Sequence, residues 1–248
     1  MPTLLTPYGR HPGYAAGSVT FGGQAGPLAV AEHVTTYQAS GQGFIEIPHD
    51  GLPSTIPGLT KEVWVYLPAM QQLPALLELA TPNLPQAVYL EPYTNSAGQN
   101  VWVAGAYVGS GGNAFGGATQ EIYTPSILSS WVYLVQTVSP TTLTLYVSAQ
   151  TTVSATGTFD LSVIANGPWL LGGGTTVDGR GYLTGALAHA AVYLDVLPAT
   201  RVAAHLAAAQ STQRGAYRAA VLADHPFVYL PLTDPSGPWA HDAVLWAA

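Results

Sequence analysis

The chain contains no cysteine and carries little charge, and each absence restricts what the protein can be. Without cysteine it forms no disulfide bond and performs no thiolate chemistry. Charged residues make up 8% of the sequence, whereas an average soluble domain has roughly 25%. A surface with so few charges takes its polarity from threonine, serine, glutamine, asparagine and glycine, which favours close packing against neighbouring molecules.

Basic residues are especially scarce, and long apolar runs are missing. Lysine and arginine together number 6, Lys61 is the only lysine, and the formal net charge is −7. With no basic stripe to displace phosphate counterions, we predict no nucleic-acid partner. The longest apolar runs, such as residues 186–192, are far shorter than the roughly 20 residues of a membrane-spanning helix, so we predict no membrane insertion. The first residues also lack the charged and apolar segments of a signal peptide, and we expect synthesis without a secretion signal.

The hydrophobic pattern predicts an all-β protein. Hydrophobic residues make up 48% of the chain and fall in short runs separated by glycine, proline and asparagine. Roughly a dozen short strands at regular spacing, with turn signals between them, indicate a two-sheet antiparallel sandwich or jelly roll. The clearest strand candidates are residues 60–67, 131–138, 142–147, 182–193 and 227–232.

One region interrupts this pattern and is predicted to be helical. Pro198 suits the first position of a helix, because proline lacks the N–H that would have no partner there. Val202 and His205 follow at helical spacing, and residues 217–223 are a second, shorter candidate. The predicted organisation is an extended N-terminal arm over 1–31, a jelly-roll sandwich over 32–197, a helical segment over 198–224, and a C-terminal strand and tail over 225–248.

Three motifs, in this order, resemble a known family. They are Thr-Lys-Glu-Val-Trp-Val at 60–65, the paired runs at 131–135 and 143–147, and Gly-Ala-Leu-Ala-His-Ala-Ala-Val-Tyr at 185–193 before the helix. Over about residues 30–210 the chain is similar to the laminin-G-like branch of the concanavalin-A-like jelly rolls. The resemblance implies a jelly-roll sandwich of the kind used in surface-exposed binding modules.

The chain departs from that family pattern at three places. Ala188 and His189 replace the usual acidic pair of the closing strand, which argues against a ligand role there and favours a purely architectural one. Ser148 and Ala149 replace the usual Asp/Asn-Gly turn. Residues 220–237 resemble the beginning of such a domain, although they lie near the end of this chain. Either the domain is circularly permuted, or the strand at 227–232 completes a neighbouring subunit.

The sequence does not predict an enzyme. Glycosidases of this superfamily carry Glu-x-Asp-x-x-Glu on one strand, which places an acid and a nucleophile on one face. Here Glu46 and Asp50 are separated by Pro48. The remaining candidate glutamates are isolated, namely Glu62, Glu78, Glu91 and Glu121. The chain also lacks a Gly-x-Ser-x-Gly motif and a glycine-rich phosphate loop with its lysine.

Metal sites are predicted only weakly by the spacing of histidines and aspartates. The histidines show no His-x-His or His-x-x-x-His spacing, so each is expected to be a surface or packing residue rather than a zinc ligand. Asp50, Asp178 and Asp234 lie in turn-like segments and are the calcium candidates. Isolated loop aspartates usually form turns. We therefore expect no cofactor, with calcium as the alternative.

Aromatic residues provide the candidate ligand platform. Trp102, Tyr107 and Tyr123 flank a glycine-rich segment and are candidates for stacking against sugar rings, with core packing as the alternative for each.

The function predicted from these features is that of a non-enzymatic structural protein of a bacteriophage particle, either a capsid decoration protein or a minor tail protein. A virion protein leaves its host by lysis, which would reconcile a surface-module fold with the missing secretion signal. Its expected location is the virion, and its expected partners are other virion proteins in a homo-oligomer or array. The alternative is a carbohydrate-binding adhesion or receptor-binding module that recognises a cell-surface glycan, with or without calcium.

Overall fold

The strands and helices of the chain are defined by a computed structural model. It describes residues 11–37, 42–48, 51–53, 55–71, 76–81, 84–106, 120–123, 128–148, 151–159, 161, 169–173 and 181–244. The strands are β1 (Gly13–Ala16), β2 (Val19–Ala25), β3 (His33–Tyr37), β4 (Phe44–Ile47), β5 (Leu59–Tyr66), β6 (Leu77–Thr81), β7 (Leu84–Thr94), β8 (Asn100–Ala106), β9 (Gln120–Tyr123), β10 (Trp131–Val138), β11 (Thr142–Val147), β12 (Thr151–Thr156), β13 (Trp169–Leu171), β14 (Gly185–Tyr193), β15 (Val228–Leu230) and β16 (Trp239–Ala240). The helices are α1 (Ala199–Ala209) and α2 (Ala216–Ala223).

The described strands form two antiparallel sheets packed face to face. The first sheet has the order β16-β1-β4-β13-β6-β7-β8-β9, and the second has the order β12-β11-β10-β5-β14-β3-β2. Strand β15 also belongs to the second sheet, where it pairs with β14. The predicted two-sheet antiparallel jelly-roll sandwich is therefore confirmed, together with the two short helices after residue 198.

The segment predicted as an extended arm takes part in both sheets where it is described. Strand β1 lies between β16 and β4, and β2 pairs with β3 at the edge of the second sheet. The glycines that suggested an irregular arm serve as bends between and within these strands. Gly17 and Gly22 have φ values of 67° and 70°, a left-handed conformation that glycine adopts without steric cost.

The strand that resembles the start of a domain pairs within its own chain. Residues Val228–Leu230 of β15 pair with the second half of β14, whereas β3 pairs with the first half along the same edge. A buried aspartate holds this region together. The backbone N–H of His11 donates to Asp242 Oδ2 at 2.8 Å, and the backbone N–H of Tyr229 donates to Asp242 Oδ1 at 3.0 Å.

Both faces of the central strand β5 are covered, because alternate residues point to opposite sides of a sheet. Leu59 and Val63 contribute to the core between the two sheets. Trp64 points to the other side, into a second cluster that also contains Val202 of α1 and Tyr217 of α2. The molecule therefore has three layers: the first sheet, the second sheet, and the two helices on the outer face of the second sheet.

The helices are held by burial rather than by capping side chains. Helix α1 buries Val202, His205 and Ala209, and neither helix has a side-chain hydrogen bond at its N-cap. Pro198 was expected in the first helical turn, but its ψ of 153° is extended and it is the N-cap, so α1 begins one residue later. No helix among the described residues is long and apolar enough to cross a membrane.

Candidate functional site

A buried carboxylate organises the contact between the second sheet and the helices. Glu62 lies on the helix-facing side of β5 and is 0% exposed. Three tyrosine hydroxyls donate to it: Tyr133 to Oε2 at 2.7 Å, Tyr193 to Oε1 at 3.1 Å, and Tyr217 to Oε1 at 3.4 Å. The ring of His205, from α1, contacts Oε2 through Nδ1 at 2.9 Å. We call these five residues the Glu62 cluster.

The Glu62 cluster continues to the surface through a second carboxylate. The Nε2 atom of His205 lies 2.8 Å from Asp224 Oδ2, and Arg201 Nε donates to both oxygens of Asp224 at 2.8 and 2.9 Å. Both ring nitrogens of His205 face carboxylate oxygens, an arrangement that favours the doubly protonated ring, which donates from both nitrogens. Burial by itself lowers the pKa of His205, but the hydrogen bonds and charges of Glu62 and Asp224 outweigh it and raise that pKa above its ordinary value.

The tyrosines of the cluster are fixed as neutral donors. Burial, followed by the charge of Glu62, raises the pKa of Tyr133, Tyr193 and Tyr217 above the ordinary value of a phenol. Each hydroxyl therefore keeps its proton and donates it to the carboxylate. Glu62 and His205 are both 0% exposed, so the cluster is closed to solvent and links α1 and α2 to the sheet.

A pocket opens to solvent next to this cluster. The ring of Tyr217 lies 4.9 Å from the ring of His189, measured between centroids, and His189 lines a cavity of about 480 Å³. We call this cavity the His189 pocket. Its lining consists of Gly22, Leu28, Val30, Ala31, Glu32, His33, His189, Arg214, Gly215, Arg218, Tyr229, Pro231, Thr233, Asp234 and Pro235.

His189 reaches the pocket because β14 is irregular at this point. The register of β14 against β5 shifts between Ala188 and Ala191, and His189 has a φ of 52°, which is uncommon for a residue with a side chain. Its Nδ1 lies 2.8 Å from the Tyr229 hydroxyl and its Nε2 lies 2.9 Å from Glu32 Oε1. The pocket therefore forms where the edge of β14 passes from β3 to β15.

The charges around the His189 pocket are unevenly compensated. Glu32 is paired with His189, and Asp234 is paired with the ring and backbone N–H of His241. Arg214 and Arg218 are exposed, and neither forms an ion pair within the described part of the chain. The lining thus holds two carboxylates and two arginines, and of these four groups the arginines are the ones without an ion-pair partner among the described residues.

The aromatic residues predicted as a sugar platform do not form one where they are described. Trp102 is 0% exposed and lies in the core between the sheets, so the stacking prediction is wrong for this residue. Its position on β8 points the indole inward, as the alternation of a strand requires. Tyr123 ends β9, but its side chain lies outside the described residues, as does the whole of Tyr107.

Of the three calcium candidates, one lies within the described residues. Asp234 is 7% exposed, pairs with His241 and lines the His189 pocket, while Asp50 and Asp178 lie outside the described residues. Within the described ranges, no three side chains of histidine, aspartate or glutamate converge as a metal site requires.

Two residues of these sites carry a signal in the sequence. Glu62 is the acidic residue of strand β5, where it precedes the apolar run Val63–Tyr66, and His189 stands at a departure from the family pattern. The sequence predicted a purely architectural role for Ala188 and His189, and in the structure His189 also lines the pocket. Arg214 and Arg218 had no sequence signal beyond the scarcity of basic residues.

The fold is a two-sheet jelly-roll sandwich with helices packed on one sheet. A family model described as the concanavalin A-like lectin/glucanases superfamily, of the laminin G type, matches residues 39–203. The chain belongs to this family, and the resemblance inferred from its motifs is confirmed. A search of curated protein sequences finds no match.

Solved structures with the same fold differ widely in sequence. The enzymatically active domain of tailspike protein 2 from bacteriophage CBA120 matches with a TM-score of 0.52 and 11% identity, over 82% of this chain and 31% of that one. A Bacteroides ovatus protein assigned as carbohydrate-binding matches with a TM-score of 0.50 and 11% identity, over 94% and 55%. The binding domain of botulinum neurotoxin serotype G matches with a TM-score of 0.50 and 9% identity, over 77% and 46%. The chain thus spans less than a third of the tailspike, and at these identities the likeness concerns the fold alone.

Proposed function

We propose that this protein is a non-enzymatic structural component of a bacteriophage particle, as a capsid decoration protein or a minor tail protein. The observation that carries the proposal is how the sandwich uses its ionisable groups. Glu62, His205 and Asp224 hold the helices to the sheet, and Asp242 joins the N-terminal and C-terminal segments. These four acid and base side chains are part of the architecture, as suits a protein that must be durable within an assembly.

Surface composition supports the same proposal. Charged residues are 8% of the chain, and low charge favours lateral packing, because neighbouring copies then have few solvated groups to dehydrate. Part of the enzymatically active domain of the bacteriophage tailspike described above also has a similar fold. The proposed partners are other virion proteins, and the proposed location is the virion.

The proposal is tested on purified particles. Phage from the source should be purified on a density gradient, treated with nuclease and high salt, and analysed by mass spectrometry and electron microscopy. We expect peptides of this chain at a stoichiometry of several copies per particle, and density that accommodates the sandwich. Recovery of the chain only from the soluble lysate, with none in the particles, would overturn the proposal.

A second candidate function is carbohydrate binding, and the His189 pocket is the observation that favours it. Its volume of about 480 Å³ lies within the range of about 300–1,000 Å³ that is typical of small-molecule sites. Apolar residues such as Leu28 and Pro231 share its wall with hydrogen-bonding groups such as Tyr229. Sugars present both apolar ring faces and hydroxyl groups, so a mixed wall of this kind suits them.

A glycan array, read with and without a calcium chelator, tests this second function. Saturable binding that resists the chelator supports a metal-independent carbohydrate site. Binding that the chelator abolishes supports the calcium-dependent alternative. An array with no binding above the level of an unrelated protein contradicts carbohydrate recognition.

A further inference from the structure

The rim of the His189 pocket holds two arginines in a position that is unfavourable for the helix that carries them. Arg214 directly precedes Gly215, the N-cap of α2, and Arg218 lies in the first turn of that helix. The N-terminus of a helix carries a partial positive charge, so acidic residues stabilise it and basic residues do not. This first turn contains no acidic residue and no side-chain cap. Sequence choices that oppose local stability are expected mainly at functional sites.

Backbone strain is found beside the same cavity. His189 has a φ of 52°, and Leu232, which is fully buried, has a φ of 62°. The left-handed region costs a bulky side chain about 1–3 kcal/mol, and such outliers persist where the surroundings enforce them. Here the Leu232 carbonyl accepts a hydrogen bond from Thr35 Oγ1 at 3.1 Å, and the His189 backbone N–H donates to the Pro231 carbonyl at 3.1 Å. The strained segment between Pro231 and Pro235 forms one wall of the pocket.

Two cations of the pocket lining are left without an ion-pair partner. The carboxylates of Glu32 and Asp234 each lie in contact with a histidine ring, whereas the guanidinium groups of Arg214 and Arg218 have no carboxylate partner among the described residues. A guanidinium group matches the planar geometry of a carboxylate through two parallel hydrogen bonds.

We propose that the His189 pocket binds an acidic glycan, with Arg214 and Arg218 contacting the carboxylate of a uronic or sialic acid residue. The inference rests on the second candidate function and specifies its ligand class. The apolar wall formed by Leu28, Val30 and Pro231 would receive the face of the sugar ring, and the polar groups beside it would receive its hydroxyls. Neutral sugars lack the group that the two arginines recognise, so they bind more weakly.

The test compares ligands that differ only in the acidic residue. Calorimetric titrations would use sialyllactose against lactose, and a galacturonic acid trimer against its methyl ester, with inorganic phosphate as a competitor. We expect measurable binding of the acidic ligands, weakening as salt is added because exposed charges are screened. The variants Arg214→Ala and Arg218→Ala should each weaken binding about tenfold or more, as loss of a charge-assisted pair implies. Arg201→Ala is the matched control, because that arginine is engaged by Asp224 and does not line the pocket.

The outcomes distinguish a preference for acidic glycans from carbohydrate binding as such. Equal binding of acidic and neutral ligands, unaffected by the arginine variants, overturns the acidic specificity and leaves carbohydrate binding standing. No binding of any glycan overturns both. Displacement of the acidic glycans by phosphate at equal concentration overturns the role of the sugar ring. Thermal unfolding controls for misfolding, since removing a cation from the start of α2 should leave the melting temperature unchanged or raise it.

Discussion

Replacing Tyr133 by phenylalanine removes one hydroxyl from the Glu62 cluster without opening a cavity. That hydroxyl donates to Glu62 at 2.7 Å, whereas the hydroxyl of Tyr217 donates at 3.4 Å, the long limit of a hydrogen bond. A hydrogen bond to a charged group contributes about 1.5–3 kcal/mol when its geometry is good. We therefore expect Tyr133→Phe to lower the free energy of unfolding by about 2–3 kcal/mol and Tyr217→Phe by less than about 1 kcal/mol.

The difference between these variants can be measured by urea unfolding with tryptophan fluorescence. The ring of Trp64 is stacked on Tyr133 at 5.0 Å between centroids, so it reports on this region directly. For a domain of this size, the loss in Tyr133→Phe corresponds to a fall in melting temperature of about 4–12 °C. The slope of free energy against urea should stay constant, because the buried surface is unchanged.

A double-mutant cycle with Glu62→Gln identifies the cause. If the hydroxyl acts through the carboxylate, the loss caused by Tyr133→Phe should shrink in the Glu62→Gln background, with a coupling of about 0.5–3 kcal/mol. Equal losses for Tyr133→Phe and Tyr217→Phe, or losses that add without coupling, would refute the assignment of Glu62 as the centre of the cluster.

Three further outcomes follow from the same structure. His205→Ala should lower the free energy of unfolding by about 3–5 kcal/mol, because it leaves a buried carboxylate without its cation. Arg201→Ala, at a side chain that is 37% exposed, should lower it by at most about 1 kcal/mol. Chemical denaturation measures both changes. The pKa of His205 is raised in the folded state, so its protonation stabilises the fold. This stabilisation is fully present below the unfolded pKa of about 6.5 and is lost as the pH rises through the higher folded pKa. The urea midpoint should therefore fall as the pH is raised from about 6 to about 9. Gly185→Ala should destabilise the fold by about 1–3 kcal/mol, because a Cβ there would collide with the main-chain carbonyl of Tyr66. In the control Gly157→Ala, the new Cβ meets only the Phe159 ring, at 3.1 Å. The control should therefore lower the melting temperature by less.

Each of these outcomes has a clear contrary result. A His205→Ala variant as stable as Arg201→Ala would mean that the buried pair contributes nothing. A urea midpoint whose pH dependence is the same in His205→Gln as in the original chain would assign the titration to another group. A Gly185→Ala variant with an unchanged melting temperature would show that β5 and β14 can separate locally at no cost.

The local pattern of the sequence determined the main elements of the fold. Strand β5, the β10–β11 hairpin and strand β14 were predicted because strand-forming residues alternate or run together between strong turn signals. The helices α1 and α2 were predicted because their buried residues recur at helical spacing. Strands β1 and β16 were not predicted, since each is short and owes its order to partners distant in sequence.

The tertiary structure alone decided which polar residues meet. Glu62 and His205 are separated by 143 positions, and Glu32 and His189 by 157. Nothing local to either pair predicts contact, because contact depends on the order of strands in the sheet and on which sheet face the helices cover. The same layering buries Trp102, which looked available from its sequence neighbours. Composition and periodicity thus determined a two-sheet sandwich, and motifs supplied its resemblance to a family, whereas the Glu62 cluster and the His189 pocket exist only because folding brings distant side chains together.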